Sequence, residues 1–139
     1  MGQNKLTRHE ARETVFKLLF AREFDLESAP DAIYDAFIDI TESKTNDYVH
    51  TTFVGACEKI GDIDALIESS SVNWKLSRMS TATKSVLRLA VYEMTETETP
   101  VKVVINEAVE IIKLYDDENA PSFVNGILNN IARSRGLIG

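Results

Sequence analysis

Cysteine is all but absent from this 139-residue chain, where Cys57 stands alone. A single thiol excludes an internal disulfide and any zinc site built from several cysteines, and it points to a reducing compartment. Histidine is nearly as scarce: His9 and His50 are the only two, and they form no His-x-x-x-His pair. There is no Gly-rich phosphate loop and no nucleophile elbow. No apolar run approaches the roughly 20 residues that a membrane span requires. Met1–Lys5 carries no apolar signal-peptide core. We expect a cytoplasmic protein with no catalytic residues, no metal and no cofactor.

Positive charge is also in deficit, with 15 Lys and Arg against 22 Asp and Glu and a formal net charge of −7. The deficit is local. Residues 26–71 carry 2 basic and 10 acidic side chains, residues 1–25 carry 5 and 4, and residues 72–139 carry 8 of each. This distribution excludes a broadly basic surface and leaves room for a small cationic one.

What the chain does contain is helical periodicity. Six glycines and three prolines leave long uninterrupted stretches. Residues 7–24 place Ala11, Val15, Leu18 and Leu19 on one stripe, with Phe16, Phe20 and Phe24 at i+4 spacing. Pro30 opens a second helix through Ile40. A third runs from about Asp47 to Gly61, and a fourth from Asp62 to about Ser69. Ser80 fits the N-cap of a fifth helix through Met94, stopped by Thr99-Pro100. Val101–Tyr115 forms a sixth and Val124–Ile131 marks the last. The expectation is an all-α fold of about seven helices. They fall in two halves, about 1–72 and 73–139, within a single domain, 1–139. Trp74 is expected at the junction, and Cys57 on the buried stripe of its helix.

Two acidic groups resemble sites without completing one. Glu107 and Glu110 lie i,i+3 on one helix, but no second helix offers a matching Glu-x-x-His, so a solvated face is expected. Asp116, Asp117 and Glu118 lack the spacing and glycine of an EF-hand, and they suit the positive end of the helix that follows.

One local rule is broken. Thr7-Arg8-His9-Glu10 fits a capping box, yet it puts Arg8 and His9 in the first turn, with Lys5 before them and Arg12 one turn on. Cations there oppose the helix dipole at about 0.3–1 kcal/mol each when exposed. Free backbone N–H groups beside Arg8 and Arg12 would instead suit a phosphate. Lys102 repeats the mismatch after Pro100. Phe123, at the rim of the last helix's apolar stripe beside Asn119 and Ser122, is placed either to stack on an unpaired base or to cover a neighbouring helix end. Gly126 sits inside the same helix, where it costs about 1 kcal/mol relative to Ala.

Four segments carry a family resemblance: Thr7–Arg12 with Phe16–Phe20, Val86–Met94, Pro100–Ala108 and Ser122–Leu128. In this order they resemble the NusB family of bacterial transcription antitermination factors, over nearly the whole chain. The Pro-x-Lys-x-x-Ile-Asn-Glu-Ala and Phe-Val-Asn-Gly motifs are the most specific. The resemblance implies an all-α fold of two side-by-side helical bundles and binding to the single-stranded boxA element of nascent ribosomal RNA transcripts. It also implies a heterodimer with a small-subunit ribosomal protein, NusE, within the RNA polymerase antitermination complex. On this resemblance the RNA-binding residues are Lys5, Arg8, His9, Arg12, Lys102, Asn119, Ser122 and Phe123, and the protein-partner residues are Phe20, Thr83 and Lys84. The Arg-rich stretch of the family is sparse here, which implies weak RNA binding alone and tightening by the partner. Arg8, Arg12, Lys102 and Phe123 would meet in one small positive corner where several helix beginnings gather around one RNA strand.

Two other readings stay open. The chain could be a protein-interaction module or homodimer that hides the RNA face. It could also be the NusB-like part of an RNA cytosine methyltransferase, which would need a Rossmann-type domain and a reactive cysteine beyond Gly139.

Overall fold

A computed structural model describes residues 5–71 and 74–138. Met1–Asn4, the expected division at 72 and 73, and Gly139 lie outside the described residues. Within them are seven α-helices: α1 (Arg8–Arg22), α2 (Pro30–Thr41), α3 (Asp47–Glu58), α4 (Ile60–Ser69), α5 (Thr81–Glu96), α6 (Val101–Tyr115) and α7 (Ala120–Ser134). A short 3-10 turn, Leu76–Arg78, leads into α5.

The starts follow from local chemistry. Thr7 accepts from the Glu10 amide at 3.0 Å while Glu10 accepts from the Thr7 amide at 2.9 Å, completing the capping box. Asn46 caps α3 through the Val49 amide, and Ser80 caps α5 through the Thr83 amide. Asp117 accepts from the Asn119 and Ala120 amides at the start of α7, so it meets the positive end of that helix as expected. Two expected ends shift. Helix α1 stops at Arg22, leaving Phe24 beyond it and exposed. Gly61 does not end α3; Lys59 does, and Gly61 belongs to the first turn of α4.

Helix α5 is central, packing on α1, α3, α4, α6 and α7. Its neighbours leave little of it in water, and one apolar cluster runs from Phe16, Leu19 and Phe53 through Leu87 to Ile112 and Ile131. The two halves therefore share a core across α5.

Ion pairs and rings fix the helix directions. Arg12 meets Glu93, whereas Glu23, just past the end of α1, meets Lys84 and Arg88, so α1 and α5 run antiparallel. His9 meets Glu107, and the rings of Phe16 and Tyr115 lie 4.9 Å apart, so α1 and α6 run parallel. The starts of α1 and α6 share one end of the molecule. The starts of α5 and α7 share the other.

Candidate nucleic-acid interface

At the α1/α6 end, Lys5, Arg8, His9 and Lys102 are all exposed. The Arg8 guanidinium lies 4.0 Å above the centre of the Tyr48 ring, a cation–π contact that holds it against α3. His9 Nδ1 is 2.8 Å from Glu107 Oε1. Glu107 is thus a partnered carboxylate, not the solvated one its spacing suggested, whereas Glu110 is exposed and pairs with Lys113.

Arg12 departs from expectation. It is 5% exposed, and its Nε donates to Glu93 Oε1 at 2.8 Å, with Nη1 reaching Glu107 at 3.5 Å. The i,i+4 spacing that puts it beneath Arg8 also turns it under α1 and onto α5. Burial works against its charge, but the hydrogen bond and charge of Glu93 outweigh that, and its pKa is raised. Glu93 itself is 1% exposed, and among the described residues neither its Oε2 nor the buried Tyr48 hydroxyl has a partner in full hydrogen-bond geometry, although the two groups lie within each other's reach. Burial, followed by the nearby Glu93 charge, pushes the Tyr48 phenol well up.

The opposite end holds Asn119, Ser122 and Phe123. Phe123 is half-buried and meets Trp74 edge to face, with ring centres 5.9 Å apart. Trp74, about half exposed, therefore packs on the start of α7. A groove of about 320 Å³ runs beside this pair, walled by Met79, Thr83, Asn119 and Ala120. Asp116 accepts from Ser80 and, at 2.9 Å, from Thr83. Burial raises its pKa, but these hydroxyls and the Asp117 amide lower it further, leaving it below the usual carboxylate range. Asp116 thus ties α6 back to the start of α5, a role its acidic run did not reveal.

Of the expected partner residues, Phe20 is open, 37% exposed in a ladder with Phe16 and Phe24. Thr83 is buried on Asp116, and Lys84 pairs with Glu23 at 2.8 Å. Both serve inside the fold.

The expected single corner is therefore two patches. Helix α6 spans 15 residues, about 22 Å at 1.5 Å per residue, and separates Lys102 from the α7 start. A strand touching both would run along the bundle. Sequence reasoning missed Tyr48 and Glu93, and it placed Trp74 at the junction without its contact to Phe123. The cue for Glu93 was a lone carboxylate at a buried position of α5, which requires a partner.

The chain resembles known proteins in both sequence and fold. Residues 9–133 match the NusB family. A "Transcription antitermination protein NusB" from Lachnoclostridium phytofermentans is 39% identical over 131 residues, 91% of this chain and 98% of the relative. Another, from Listeria welshimeri, is 38% identical over 91% of this chain and 97% of its own length. The structure of T. maritima NusB superposes with a TM-score of 0.79 at 36% identity, covering 93% of this chain and 92% of that one. A crystal structure of antitermination factors NusB and NusE in complex with dsRNA contains a chain of TM-score 0.80 and 27% identity, covering 96% and 99%. With helices, motifs and relatives matching along almost its full length, the chain belongs to the NusB family, whose named relatives are transcription antitermination proteins.

Proposed function

We propose that this protein is a cytoplasmic transcription antitermination factor that acts as one RNA-binding domain. It binds single-stranded boxA RNA of nascent ribosomal transcripts together with NusE, within the RNA polymerase antitermination complex. The observation that carries the reading is the capped start of α1, where Arg8 and His9 stand exposed at the positive end of a helix. Such a placement costs free energy in the isolated protein and repays it when a phosphate arrives. A relative crystallised with NusE and dsRNA supports the same partners. Lys5 and Lys102 extend the cationic end, and Phe123, with Asn119 and Ser122, offers a ring for a base at the far end. Phe20 and its ladder offer an apolar surface to the ribosomal protein.

Titration of boxA RNA over a salt series, with and without NusE, tests this. Few exposed cations mean a shallow slope, about −0.7 for each phosphate contact on a single strand, and weak binding that NusE tightens. Phe123→Ala should lose about 1–3 kcal/mol of RNA affinity if a base stacks there. Equal affinity with and without NusE, together with an unchanged Phe123→Ala variant, would overturn the reading.

A further inference from the structure

Six side chains at the α1/α6 end form one connected set. Arg8 lies over the Tyr48 ring, and the Tyr48 hydroxyl is buried in the charge field of Glu93. Glu93 Oε1 accepts from Arg12, Arg12 reaches Glu107, and Glu107 holds His9. The outer members, Arg8 and His9, are exposed, whereas Arg12 and Glu93 are out of solvent. For Arg12 to reach a phosphate it would have to leave Glu93, stranding a carboxylate that is 1% exposed. Breaking such a pair costs far more than an exposed phosphate contact returns.

We propose that Arg12, Glu93 and Tyr48 are positioning residues: they fix where Arg8 and His9 stand for RNA, and Arg12 itself does not touch the strand. The inference rests on the reading of this end as an RNA site. Arg12 and Glu93 peg the second turn of α1 to α5, directly behind Arg8 and His9, and Tyr48 supplies the ring on which Arg8 is laid flat. Arg8 and His9 thereby meet a phosphate with their rotamers already chosen, which lowers the entropy cost of binding.

The test is a double-mutant cycle on RNA affinity and its salt slope. Arg8→Ala/His9→Ala removes the two positioned side chains, and Arg12→Gln/Glu93→Gln replaces the buried ion pair with a neutral one. In the wild-type background the neutral pair should weaken RNA binding several-fold. Added to Arg8→Ala/His9→Ala, it should change neither affinity nor slope, because the residues it positions are gone. Tyr48→Leu, at a half-buried site, should behave the same way and serves if the neutral pair does not fold. Additive losses, with the slope falling by about a further 0.7 when Arg12 is replaced, would make Arg12 a phosphate ligand and overturn the proposal. If Arg8→Ala/His9→Ala alone binds RNA like wild type, the RNA reading of this end fails, and the proposal with it.

Discussion

Glu23 and Arg88 meet across the seam between α1 and α5, with Arg88 Nη1 donating to Glu23 Oε2 at 2.6 Å. Lys84 donates to the other Glu23 oxygen at 2.8 Å, and Arg88 holds Asp64 of α4 in a two-pronged contact at 2.8 and 2.9 Å. Three helices are joined through one guanidinium. Arg88 is 5% exposed, so this is an interior network.

That network should make the fold sensitive to acid. Burial alone raises the Glu23 pKa, but the hydrogen bonds and charges of Lys84 and Arg88 lower it further, and the net shift is downward. A carboxylate depressed in the folded state binds protons more readily when unfolded. Its contribution is therefore complete above the unfolded value of about 4.3 and is lost as pH falls through the folded one. Glu23→Gln should cost about 1.5–3 kcal/mol at pH 7 and much less near pH 3. Urea midpoints for both proteins at the two pH values measure this, and a cost independent of pH would contradict it.

The Arg12–Glu93 pair makes a separate prediction about stability. Removing one partner from a buried pair leaves an uncompensated charge, so Arg12→Met alone should cost about 3–5 kcal/mol. Replacing both by apolar residues of similar size, as Arg12→Met/Glu93→Leu, should recover most of that loss, because neither charge is then desolvated without a partner. Equilibrium unfolding of the single and double variants gives the coupling directly. A double variant no more stable than Arg12→Met would show that the site needs its charges.

These pairs also mark how far the sequence could be read. Periodicity and caps are local, so Thr7 and Ser80 announced their helices, whereas the Asn46 cap of α3 went unread. Arg12 lies deeper than expected: its i,i+4 relation to Arg8 shows only that the two share a side of α1. It does not show how far beneath that side the neighbouring helix lies. Glu93 is 81 residues from Arg12, and no local pattern links them. The expected meeting of Lys102 with Phe123 failed on geometry: consecutive antiparallel helices put the start of α6 and the start of α7 at opposite ends. Cys57, by contrast, sits where its stripe placed it, and burial pushes its thiol up to about 11.

The glycines offer a test of packing that the sequence could not have proposed. A Cβ built on Gly55 in α3 would stand 2.7 Å from Cζ of Tyr92 on α5, whereas one on Gly126 in α7 would meet nothing within 4 Å. Alanine is favoured over glycine in a helix by about 1 kcal/mol at either place. At Gly126 that preference acts unopposed, so Gly126→Ala should stabilise the free protein by close to that amount. At Gly55 overpacking costs about 1–3 kcal/mol, which outweighs the gain, and Gly55→Ala should destabilise. Placing Gly55→Ala in a Tyr92→Ala background removes the obstructing ring and should reverse the sign. Thermal midpoints of the four proteins decide the matter: if Gly55→Ala remains destabilising without the Tyr92 ring, the close approach of α3 and α5 is not what selects glycine there.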